Sequence, residues 1–119
     1  MPFHDSSIES LSCLHVAEHI GLGRYGDPLD PQGTEKAAKE LARVLAKDGF
    51  LYFALPIGKQ AVYFNAHRVH NPLTIIEYFK DLKLAEFSAI SDNGHFVFNA
   101  KPEDFVNANY SCGCFKFTK

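Results

Sequence analysis

A charge excess of one sign, a paired set of cysteines and long apolar runs are all missing from this sequence. Its 119 residues carry 12 basic and 14 acidic side chains, for a formal net charge of −2, without a large block of either sign. That balance leaves no electrostatic footprint for DNA, RNA or an anionic membrane surface. No apolar run approaches the ~20 residues needed to span a bilayer. The opening residues, Met1-Pro2-Phe3-His4-Asp5, have no basic stretch leading into an apolar one, so a secretory signal is not expected. The 3 cysteines (Cys13, Cys112 and Cys114) are odd in number, which excludes a closed disulfide framework. Together these absences lead to the expectation of a soluble cytoplasmic protein with reduced thiols. Internal repeats, low-complexity tracts and interdomain linkers are absent too.

What is present is a globular composition. Hydrophobic residues make up 46% of the chain, and 11 of them are phenylalanine. A chain of this length buries roughly two-thirds of its unfolded surface, so residues 1–119 are expected to form a single domain without a metal or disulfide.

Hydrophobic patterning gives an alternating order of elements. Ile8 to Val16 reads as a strand. Gly21 to Pro31 is a loop, because its glycines and prolines interrupt any regular element. Thr34 to Lys47 reads as a helix, with Ala37, Ala38, Leu41, Val44 and Leu45 at helical spacing. Thr34 is the expected N-cap, and Lys47 and Gly49 suit the far end. Phe50 to Leu55 runs apolar without alternation, as in a parallel strand buried on both faces. Asn71-Pro72 opens a second helix near Leu73 to Leu82, with Leu73, Ile76, Phe79 and Leu82 expected inside. Strands follow at Lys83–Ser91, His95–Asn99 and Cys112–Thr118, with a turn at Asp92-Asn93-Gly94 and an irregular linker from Ala100 to Asn109. Strands alternating with helices imply right-handed crossovers, hence an α/β fold with a mainly parallel sheet and an antiparallel strand near the C-terminus. The two thiols of Cys112-Gly113-Cys114 share one face of their strand and are expected to fill the core.

The run from Pro2 to Ile20, with its Pro-Phe turn, acidic-serine loop and closing Glu18-His19 pair, resembles the fourth-strand region of class I S-adenosylmethionine-dependent methyltransferases. Ala42-Arg43-Val44-Leu45 and Asp48-Gly49-Phe50-Leu51 are similar to the helix, glycine turn and fifth strand that follow in that superfamily. Glu18 to Asp27, together with Phe64 to Val69, resembles an uncharacterised branch of the superfamily, a domain of unknown function. The resemblance implies the C-terminal half of a Rossmann-like methyltransferase fold. The strands that normally bind S-adenosylmethionine would precede it, so cofactor binding is expected only if that half is supplied. It further implies that the Ile8–Val16 strand is an edge, inviting self-association or pairing with a complementary chain.

On that topology, two groups of residues meet at the carboxyl ends of parallel strands, where α/β folds place ligands. Glu18, His19 and His67 are the candidate catalytic residues, and His15 is the candidate cofactor contact. Arg24, Tyr25, Asp27, Asn65 and Arg68 are candidates for holding a small-molecule acceptor: Arg by a bidentate grip on an anion, Tyr by stacking. Two other functions compete with a methyltransferase-like domain. One is a non-catalytic binding or assembly module. The other is a zinc hydrolase, because His15-Val16-Ala17-Glu18-His19 spells H-x-x-E-H. Gly21 and Gly23 interrupt the helix that such a zinc site requires, and His67 and His70 lack a nearby carboxylate or thiol, so no metal ligand is assigned.

Overall fold

The structure is a computed structural model. It describes residues 4–14, 33–59, 61–63 and 67–119, with backbone alone at 61–63, 67 and 68. The elements in chain order are β1 (Ile8–Leu14), α1 (Gly33–Val44), β2 (Leu45–Ile57), β3 (Ala61–Tyr63), β4 (His67–Val69), α2 (Pro72–Tyr78), β5 (Lys83–Ile90), β6 (Phe96–Val97) and β7 (Ser111–Thr118). A 3-10 turn, Pro102–Phe105, lies in the linker before β7 and buries Phe105.

The main sheet has the order β1-β2-β7-β5-β6, and β3 pairs separately with β4. β1 and β2 lie side by side in parallel, from Ser10 opposite Phe50 to Leu14 opposite Ala54. With α1 between them in sequence, this is the expected βαβ unit. The expectation of a mainly parallel sheet is corrected. β7 runs antiparallel to both β2 and β5, and β6 is antiparallel to β5, so one of the four neighbouring pairs is parallel. The cause is insertion. β2 and β5 point the same way, as a helical crossover requires, but β7 enters between them and takes the hydrogen bonds on both sides.

α1 ends at Val44, three residues before the expected Lys47, and Leu45 to Gly49 belong to β2. Its last carbonyls explain the early stop. The Ser6 and Ser7 amides donate to the Arg43 and Val44 carbonyls, and the Lys119 ammonium donates to that of Ala42. These bonds satisfy the orphan acceptors of the last turn and bring the incoming chain alongside Leu45, where Ile8 pairs. Gly49 is not a helix cap. It sits in the irregular start of β2, where an added Cβ would lie 2.7 Å from the Glu9 carbonyl oxygen. Thr34 lies inside the first turn rather than before it. At α2, Asn71 caps as expected, its side chain accepting from the Leu73 amide at 2.9 Å. α2 is shorter than expected, and Leu73 is exposed while Ile75 takes the inner position beside Phe79 and Leu82.

Both helices pack on the same face of the sheet. Ala38 and Leu41 of α1 and Ile75 of α2 join Leu51, Phe53, Leu55, Phe87, Phe115 and Phe117 in one core. Phe79 is its hub, with ring centroids 5.0 Å from Phe53 and 4.6 Å from Phe117. The opposite face is bare among the described residues, which corrects the expectation that Phe50–Leu55 is buried on both faces: Phe50 and Tyr52 are 39% and 42% exposed. Likewise Cys112 and Cys114 do share a face, but it is the open one, while Ser111, Gly113, Phe115 and Phe117 point inward. No helix among the described residues is long and apolar enough to cross a membrane.

Two substitutions test this packing by urea denaturation. Phe79→Ala removes the aromatic hub and is expected to cost about 3–5 kcal/mol. Gly58→Ala is expected to cost roughly 2 kcal/mol or more, because Gly58 has φ +149° and an added Cβ would lie 2.2 Å from the Ala108 carbonyl oxygen.

Candidate functional site

The parallel pair β1–β2 ends in a built corner. β1 stops at Leu14, beside Ala54, while β2 continues to Ile57. The chain then turns through Gly58, whose amide donates to the His70 carbonyl, and the His70 amide donates back to the Pro56 carbonyl. His70 thereby forms a parallel bridge with Ile57 just beyond the β3–β4 hairpin. Its side chain is buried and meets Tyr78 of α2 edge-on, with ring centroids 6.3 Å apart. His70 therefore faces the α2 layer.

The other wall of the corner comes from the loop before β7. The Lys59 amide donates to the Ala108 carbonyl. The Asp92 carboxylate accepts from the Asn109 and Tyr110 amides at 2.9 and 3.0 Å and from the Ser111 hydroxyl at 2.8 Å. Because Ser111 pairs with Ile57, Asp92 locks this loop at the same end of the sheet. The Asn109 amide, then the Ser111 hydroxyl and the Tyr110 amide, stabilise the charged form and hold the Asp92 carboxyl below its usual range. Sequence reading assigned Asp92 only to a turn. Its partners lie 17 to 19 residues away, and no local pattern signals them.

Of the sequence-nominated residues, His67 and Arg68 are placed by their backbones in β4, opposite Tyr63 and Val62. The hairpin therefore attaches them to this corner. His15, Glu18, His19, Arg24, Tyr25, Asp27 and Asn65 lie outside the described residues. No group of three His, Cys, Asp or Glu among the described residues is placed to hold a metal ion.

A second feature escaped the sequence reading. The bare face of the sheet holds a cleft of about 420 Å³ bounded by Leu14, Tyr52, Glu86, Phe96, Phe98 and Lys116. Its floor is Ala54, Cys114 and Ser88, neighbours in register across β2, β7 and β5. The Lys116 ammonium lies 4.6 Å from the Phe50 ring centroid and 5.8 Å from that of Tyr52. In β7 alternation sends Cys114 and Lys116 to this face and Phe115 and Phe117 to the other, whereas the unbroken apolar run of Phe50–Leu55 carries no such signal.

This arrangement is a methyltransferase-like fold. The chain of the [4+2]-cyclase SpnF matches it with a TM-score of 0.65 at 10% identity, covering 100% of this chain and 53% of that one. A chain in the complex between the Haloferax volcanii Trm112 methyltransferase activator and a candidate methyltransferase matches with a TM-score of 0.60 at 18% identity, covering 99% and 57%. The chain thus spans a little over half the length of these solved structures. In sequence, residues 4–105 match the family described as "Caenorhabditis protein of unknown function, DUF268", and the chain belongs to that family. No curated protein matches it.

The Asp92 lock carries a pH test. A carboxylate whose folded pKa is depressed contributes stability above its unfolded pKa, roughly 4, and loses it as pH falls through the lower folded value. Asp92→Asn is expected to be less stable than the wild type at pH 7, and the gap should close as the pH drops below roughly 4. Thermal melts from about pH 2.5 to about pH 7, a span that brackets an aspartate transition, provide the measurement. A gap independent of pH would show that the charge is not what locks the loop.

Proposed function

We propose that this chain is the C-terminal, acceptor-side half of a methyltransferase-like fold, completed at the β1 edge by strands from another segment or a partner chain. The observation that carries this is the position of β1: it pairs in parallel with β2 on one side and, among the described residues, is the outermost strand of the sheet. Among the described residues no further strand pairs with its other side, which is where one more strand would fit. The coverage of 53% and 57% of the two fold neighbours is in keeping with a missing complement.

The described residues do not fit S-adenosylmethionine by themselves. A Rossmann-type cofactor approaches a glycine turn closely, and such a turn needs open space over the glycine. Gly58, at the carboxyl end of β2 rather than of a first strand, is pressed against the Ala108 carbonyl and supplies no such turn. In the completed domain, Glu18, His19 and His67 would act at the acceptor, His15 would touch the cofactor, and Arg24, Tyr25, Asp27, Asn65 and Arg68 would hold a small molecule. The backbone of β4 supports this for His67 and Arg68 by tying them to the carboxyl-end corner. The reaction itself is open to more than methyl transfer, since one fold neighbour is by name a [4+2]-cyclase.

Two measurements test the proposal. Calorimetry of this chain with S-adenosylhomocysteine at roughly millimolar concentration, enough to reveal even weak binding, is expected to give no saturable heat. A saturable isotherm would mean that the cofactor site is already present. Light scattering at tens of micromolar is expected to report a mass above the 13.3 kDa of one chain, because the β1 edge recruits a second copy when no complement is supplied. A stable monomer would remove the support for an edge that needs completion.

A further inference from the structure

We propose that the turn at Asn93-Gly94 is a site of spontaneous covalent modification, where Asn93 deamidates and the product releases the Asp92 lock.

An asparagine followed by glycine carries its own nucleophile. The Gly94 backbone nitrogen attacks the Asn93 side-chain carbonyl carbon and closes a cyclic imide. The new bond joins that nitrogen to Cγ, and the bond from Cγ to the side-chain nitrogen breaks. Ammonia leaves with the proton that the Gly94 nitrogen gives up. Water then opens the ring. Addition at the side-chain carbonyl leaves an ordinary aspartate. Addition at the main-chain carbonyl leaves an isoaspartate, whose backbone runs through the former side chain and is longer by one methylene. Water is the sole co-reactant. Glycine matters because a Cβ on the following residue crowds the approach of the two groups. Asn65, Asn99, Asn107 and Asn109 all precede residues with a Cβ, and Asn71 precedes Pro72, which has no N–H to give up. Asn93 is the one asparagine with a reactive neighbour.

The fold leaves that neighbour accessible. The Ser91 amide donates to the His95 carbonyl at 2.8 Å and closes the β5–β6 hairpin, with Asp92, Asn93 and Gly94 exposed at its tip. Gly94 has φ +80°, and a Cβ built on it meets nothing within 4 Å. One bond opposes the reaction. The Gly94 amide donates to the Ser91 carbonyl at 2.8 Å, and it must let go before its nitrogen can turn toward Cγ. Water replaces an exposed bond of this kind at small net cost, and β6 beyond the turn is only 2 residues long. The bond therefore slows the attack without stopping it.

The consequence reaches the carboxyl-end corner through the adjacent residue. Asp92 accepts from the Asn109 and Tyr110 amides and the Ser111 hydroxyl, so its aim depends on the backbone of the tip. That backbone is held closely: besides the Ser91–His95 rung, the His95 amide donates to the Ser91 hydroxyl at 3.2 Å, and Ile90 pairs with Phe96 just below. A chain lengthened between Asn93 and Gly94 no longer matches that spacing. Both products also place a new negative charge beside the Asp92 carboxylate, which disfavours its ionised form. The loop before β7 is thereby loosened in aged molecules and held in new ones.

Incubation of the purified chain at mildly alkaline pH tests this, with ion exchange and peptide mapping by mass spectrometry as the readout. An acidic isoform is expected to accumulate, with aspartate and isoaspartate at position 93. Asn93→Gln, whose longer side chain closes its ring far more slowly, is expected to keep its original charge through the same interval. The isolated isoaspartyl form is expected to melt at pH 7 at the temperature of the Asp92→Asn variant, and to converge with fresh protein as the pH is lowered. An intact Asn93 after an interval that converts a synthetic peptide covering Ala89 to Val97 would overturn the proposal, because the Ser91 bond would then be a full block. An isoaspartyl form that melts like fresh protein would overturn the coupling to Asp92.

Discussion

The insertion of β7 between β2 and β5 governs this structure. Eight register pairs join β7 to β2 and seven join it to β5. Without it, β2 and β5 would be parallel strands with nothing between them, and the β5–β6 end of the sheet would hang on α2 alone. The insertion also sets the two faces. Strict alternation along Ser111–Thr118 sends Phe115 and Phe117 to the helices and Cys112, Cys114 and Lys116 to the bare side. Because Phe117 pairs with Leu51 and Leu84, and Phe115 with Phe53 and Phe87, the same ladder that holds the strands also builds the aromatic core.

The local unit was legible in the sequence, and the global order was not. Thr34 to Lys47 shows helical spacing and Phe50 to Leu55 shows a strand, and both lie where the βαβ pattern requires. Nothing in Cys112–Thr118, however, encodes which two strands it separates. Sheet order is decided by long-range hydrogen bonding, and a short alternating segment fits an edge or an interior position equally well. The same limit explains Phe50–Leu55. An unbroken apolar run implies burial on both faces only if both faces are covered, and coverage depends on elements far from the run itself. Leu73 shows a smaller version: in a two-turn helix a shift of two positions, from Leu73 to Ile75, still places Phe79 and Leu82 inside.

The candidate site was legible as a place more than as a set of contacts. Strand ends and loop glycines pointed to the carboxyl end of β1 and β2, and the backbone brings β4 and the loop before β7 to that corner. The bonds that build the corner were invisible in sequence. The Asp92 carboxylate closes on groups 17 to 19 residues away, and His70 meets Tyr78 of α2 edge-on. Side chains with local partners leave a spacing signature, as Asn71 does at α2, whereas long-range partners leave none.

The corner and the bare face are linked through one strand. β1 supplies the outer edge of the sheet, its last residue stands at the carboxyl end, and Ser12 and Leu14 on its open side line the cleft. A segment that pairs with β1 would therefore act on all three at once. It would extend the sheet, bring a second wall to the carboxyl-end corner, and bury Leu14 together with Tyr52. On the proposed reading, the edge, the candidate corner and the apolar face all meet at one short strand. If β1 is completed as proposed, association and binding are expected to be coupled in this chain, because the apolar face and the candidate corner border the same strand.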